Sequence, residues 1–153
     1  MFHQAIADNI AKFGVHFFGV FGDEDTPSFT YSVGLTAKFG AELLMVGLRY
    51  EYAAAILNAI AALDALPALN EPNENFSNLS VKFCRCDCNL YSLHADYVVQ
   101  ADGFYGRPVD VVQVVMCDRA GRFPGDPSFD EAYMGPLQPL FFDPAFRAPF
   151  NLH

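Results

Sequence analysis

The chain has 153 residues, 52% hydrophobic and 15% aromatic with 16 Phe, which suits one domain with a sizeable core and excludes a disordered chain. Its 18 acidic and nine basic residues give a formal charge of −9 with no basic cluster, which excludes nucleic acid and anionic membrane surfaces as partners. No run approaches the roughly 18 apolar residues of a membrane helix, and the N-terminus lacks the features of a secretory signal, so a cytoplasmic protein is expected.

Phe2, Ile6, Ile10 and Phe13 recur at helical spacing and Gly14 follows as a C-terminal cap, which predicts an amphipathic helix over residues 3–13. Residues 15–21 are β-branched and aromatic and run into the acidic turn Gly22, Asp23, Glu24, Asp25, Thr26, Pro27, the first half of a hairpin. Residues 28–35 alternate, with Phe29, Tyr31, Val33 and Leu35 on one face and Ser28, Thr30, Ser32 and Gly34 on the other, the pattern of a half-buried strand. The apolar run 43–48 predicts a third strand. Three strands in quick succession imply antiparallel pairing, because parallel neighbours need a crossover of a dozen or more residues.

Over residues 51–66 the period changes to that of a helix, with Tyr52, Ile56, Ala59, Ile60 and Leu63 on one stripe and Pro67 after it. Residues 70–78, rich in Asn, Glu and Pro, form a loop. Residues 79–86 alternate again, with Leu79, Val81 and Phe83 on one face, and Leu93, Tyr97, Val98 and Ala101 suggest a short helix before Gly103. After a turn at residues 104–108, Val109, Val111, Gln113 and Val115 share one face of a strand and Val112, Val114 and Met116 the other. A strand apolar on both faces is central, and Gln113 within it must find partners for its amide. Asp118, Gly121, Pro124 and Pro127 stop it, and the Pro- and Phe-rich chain from Phe123 onward runs irregularly over the sheet.

Cys84, Cys86 and Cys88 form a C-x-C-x-C run that invites a zinc or copper reading. On a strand, alternate Cα atoms lie about 6.6 Å apart, whereas sulfurs on one zinc lie within about 4 Å, so buried or half-exposed reduced thiols are the better reading. Among His3, His16, His94 and His153, only His94 sits in the middle of a candidate region; its neighbour Asp96 would not face it on a helix, so a surface or helix-end histidine is the simpler account. Nucleophile elbow, phosphate loop and dinucleotide fingerprint are all lacking. Tyr31, Tyr105, Gln113, Asp118, Arg122 and Gln138 are the ligand-binding candidates: Tyr31 and Gln113 to orient a ligand, Tyr105 to cover or protonate it, Asp118 and Arg122 to supply charge at the rim. The plainer account makes the polar groups buried partners that fix strand register and the final turn.

The stretches Phe29-Thr30-Tyr31-Ser32-Val33-Gly34-Leu35, Glu42-Leu43 to Gly47-Leu48, Phe104-Tyr105-Gly106, Gln113 with Asp118, Gly121, Phe123 and Pro124, and Gln138-Pro139-Leu140 resemble the bacterial domain-of-unknown-function family 4262 over nearly the whole chain. The resemblance implies a small bacterial cytoplasmic protein and brings no reaction with it. The Cys84-Arg85-Cys86-Asp87-Cys88 run is not part of that pattern.

The element order predicts one α+β domain with a mainly antiparallel sheet of five or six strands and two or three helices, mostly on one face. No cofactor and no metal are expected. Charge and the missing catalytic constellation favour a binding module for a basic protein partner, in the manner of an immunity protein, over an enzyme. The alternative is a small enzyme or ligand carrier with a small-molecule pocket at the turn of residues 118–124.

Overall fold

The structure, a computed structural model, describes residues 2–76, 80–87 and 89–144. Leu79, Cys88, His153 and the Phe2 side chain, all invoked above, lie outside the described residues.

One five-stranded sheet organises the chain, in the order β1-β2-β3-β5-β4, with β1 His16–Val20, β2 Phe29–Val33, β3 Glu42–Val46, β4 Val81–Arg85 and β5 Val111–Met116. The first three strands form an antiparallel meander, His16 opposite Val33 and Phe29 opposite Val46. β5 then enters between β3 and β4, parallel to β3 with Glu42 opposite Val111, and antiparallel to β4 with Cys84 opposite Gln113. The sheet is therefore mixed and mostly antiparallel, and the doubly apolar strand is an interior one, next to the β4 edge, while β3 holds the middle.

Among the described residues six helical segments accompany it, rather than two or three: α1 Phe2–Phe13, α2 Thr36–Phe39, α3 Tyr50–Ala61, a π-helical turn Leu93–Tyr97, α4 Val99–Tyr105 and α5 Glu131–Leu137. They cover both faces rather than mostly one. Ala53, Leu57 and Ile60 of α3 and Met134 of α5 bury Leu43, Met45, Phe83, Val112 and Val114. Ile6 of α1, Leu93 and Val98 around the π turn, and Ala101 of α4 bury Tyr31, Val33, Leu44, Val46 and Val111 on the other side. Cys84, Val115, Cys117 and Phe123 close the rest of the core against Leu140 and Phe142.

That second layer explains why β2 is buried along its whole length and not half-buried: Thr30 and Ser32, on its polar face, are at 1% and 0% exposure beneath the α3 side. Other boundaries also moved. α3 ends at Ala61, well short of Pro67, and the helix before β5 runs through Gly103 to Tyr105. The segment after Phe123 is not wholly irregular. Asp130 caps α5 by accepting from the Tyr133 N–H at 3.2 Å, although Pro136 lies inside that short helix.

Candidate functional site

The six polar candidates are not brought together; four separate places hold them. Tyr31 sends its hydroxyl across to α4, where it accepts from the Gln100 N–H at 3.1 Å, and burial pushes its pKa up to about 12. Tyr105 donates to Glu42 Oε2 at 2.9 Å and accepts from the Gly34 N–H at 3.1 Å. Gln113 donates to Pro139 O at 2.9 Å and accepts from the Phe141 N–H at 3.0 Å, while Gln138 brackets Met116, accepting from its N–H at 2.8 Å and donating to its carbonyl at 3.2 Å. Asp118 accepts from the N–H groups of Ala120, Arg122 and Asp130 and from Arg122 Nε at 3.3 Å. Its burial works to raise the pKa, but the three backbone donors and the Arg122 charge outweigh it and hold the carboxyl below its usual range.

The hydrogen bonds of Gln113, Gln138 and Asp118 fasten residues 138–141 and the head of α5 to the sheet. Two glutamines placed on or beside β5 hold residues 138–141, and Asp118 ties its own turn to the head of α5. They satisfy backbone groups, and none of the six lines either of the two clefts described below.

Two polar constellations were not singled out as sites in the sequence. Glu42, fully buried, lies at the start of β3. Its carboxyl group accepts from Ser32 Oγ at 2.7 Å, Thr36 Oγ1 at 2.6 Å, Tyr105 Oη, and the N–H groups of Leu35 and Thr36 at 3.1 and 2.8 Å. Every one of these neighbours donates. Gly34, at φ +116°, allows the chain to curl around the group, and its own N–H also points in at 3.3 Å. An acidic residue heading an apolar run, shortly after Ser-x-Gly-Leu-Thr, is the signal that marks such a nest.

His94 pairs with Asp102 rather than Asp96: Nδ1 lies 2.8 Å from Asp102 Oδ2, and Asp102 Oδ1 accepts from the Val109 N–H at 2.9 Å. Its Nε2 is out of solvent with no partner among the described residues. The π-helical turn sets this spacing of eight residues, which helical periodicity does not reveal. Cys84 and Cys86 are free and buried, and burial pushes their thiols up to about 11 and about 12. Among the described residues no group of three or more His, Cys, Asp or Glu is placed to hold a metal ion, and no helix is long and apolar enough to cross a membrane.

The surface differs between the two sheet edges. Outside β4 the chain returns as cover: Asn70 donates to Phe83 O at 2.9 Å, and Asn73 and Val81 exchange backbone hydrogen bonds. Outside β1, no strand pairs among the described residues. That edge has no Lys or Pro to blunt it, and its Gly19 lies under the Tyr50 ring, where a Cβ would come within 2.1 Å of the ring. Val20 and Tyr50 are exposed and Phe21 is 85% exposed. Beside them stands the acidic turn. Asp23 Oδ1 accepts from the Asp25 N–H, the Thr26 N–H and the Thr26 hydroxyl, which holds its carboxyl below the usual range and leaves Glu24 and Asp25 projecting into water.

No curated protein and no solved structure matches this chain. The model of one family does, over residues 9–130, a span that includes the β1 edge, the acidic turn, the Glu42 nest and the Asp118 turn. The chain belongs to the domain-of-unknown-function family DUF4262.

Proposed function

We propose that the protein is a binding module that takes an extended, basic segment of a partner protein onto the outer edge of β1. The observation that carries this reading is the contrast of edges, one covered by its own chain and the other unpaired among the described residues and ending in exposed aromatic rings beside three carboxylates. A strand added there gains main-chain hydrogen bonds, while alternate side chains supply specificity. Lys or Arg on such a segment would meet Asp23, Glu24 and Asp25, and would also lie against Phe21 and Tyr50, rings that attract cations. The charge of −9 steers a basic partner toward the module and repels acidic ones.

A peptide alternating lysine and valine is the probe, titrated calorimetrically into the full chain. Binding is expected, weakened at least about tenfold by Glu24→Lys with Asp25→Lys or by raising salt from about 20 to about 300 mM. A glutamate–valine peptide should not bind. Equal binding of both peptides, or none by the basic one, overturns the reading.

A further inference from the structure

We propose that the cleft beyond the end of β4 is a binding site for a small zwitterion, an α-amino acid with an apolar side chain. The cleft has a volume of about 530 Å³, within the roughly 300–1,000 Å³ usual for small-molecule sites. Leu69, Cys86 and Phe142 give it an apolar lining, and Arg85 and Asp87 bring opposite charges to it. Arg85 is exposed, and its guanidinium makes no hydrogen bond or ion pair among the described residues. Asp87 uses one oxygen, Oδ1, on the Asn89 N–H at 2.9 Å.

The walls are fixed to the sheet. Asn70, in the left-handed region at φ 64°, donates to Phe83 O, and the Asp87 N–H donates to Phe141 O at 2.7 Å. Gln113 clamps the same Phe141, so the wall that carries Phe142 is held by a buried side chain of the interior strand β5. Such a site is ordered before a ligand arrives, which lowers the entropy lost on binding.

Charge selects the ligand. A carboxylate satisfies the Arg85 fork, and an ammonium group on the neighbouring carbon satisfies the Asp87 carboxylate, while an apolar side chain covers Leu69 and Phe142. Phosphate would be repelled by Asp87. The other cleft, about 290 Å³ beside Gly14 and Asn58, has no comparable cation, because Lys38 Nζ already donates to Ala61 O. The zwitterion site lies at the sheet edge opposite β1, so its success or failure is separate from that of the peptide edge.

The test is calorimetric titration of the full chain with phenylalanine and leucine, beside N-acetyl-phenylalanine and phenethylamine. Both free amino acids should bind, and loss of either charge should weaken binding at least about tenfold. Arg85→Gln, at an exposed position, should keep the melting temperature yet lose phenylalanine to a similar degree, and Phe142→Ala should weaken both amino acids. Amide resonances of Asn70 and Asp87 should shift on binding. No binding by either amino acid, undiminished binding by Arg85→Gln, or shifts confined to other residues overturns the proposal.

Discussion

Glu42 shows at the residue scale how a charged side chain becomes part of a core. Its carboxyl group meets only donors, from Ser32, Thr36, Tyr105 and the backbone of residues 34–36. Glu42→Gln keeps the shape and turns an N–H₂ toward those donors, so a loss of about 3 kcal/mol in denaturant-measured stability is expected, the scale of broken hydrogen bonds to a buried charged group. A loss below about 1 kcal/mol would mean that the nest relaxes around the amide. Asp118 makes a pH-dependent counterpart. Its folded pKa is depressed, so its contribution is present above the ordinary carboxylate pKa and is lost as pH falls through the lower folded value. Asp118→Asn should therefore melt below the parent near neutrality, with the gap narrowing as pH falls below the ordinary carboxylate range. A constant gap across that range would assign the loss to geometry alone.

At the scale of elements, strand identity was legible and helix layering was not. β5 is legible from six apolar positions shared between both faces, and the need of Gln113 for partners follows from that burial; which partners it finds does not, because Pro139 and Phe141 are 26 and 28 residues away. β2 misled for a related reason. Thr30 and Ser32 read as a solvent face, yet α3 covers them, and the Ser32 hydroxyl is held between Glu42 and the Leu43 N–H. The six ligand-binding candidates share polar chemistry but not a place: partners mostly remote in sequence, invisible to spacing, hold them at four positions in the fold. α5 escaped because a seven-residue helix containing Pro136 carries almost no periodic signal. β4 supplies a direct check: with their thiols held up at about 11 and about 12, Cys84 and Cys86 are protonated at about pH 8. In a Cys88→Ser background, aromatic-disulfide titration of the native protein should show no fast thiol, and denaturant should release three. A fast native thiol would place β4 and its flanks nearer the surface than described.

For the whole molecule, the described residues form a body covered on both sheet faces, with the outer side of β1 unpaired among them. Among the described residues, cover on both faces and a returning segment along β4 leave β1 as the unpaired edge, and the proposed partner segment would add there beside the acidic turn. Hydrogen–deuterium exchange of the full chain, with and without the lysine–valine peptide, tests this most directly, because strand addition engages the amides that face outward from the edge. Slower exchange confined to His16–Val20 and the adjoining acidic turn is the predicted result. Slowing that spreads over α3 and β4 while β1 is unchanged would contradict it.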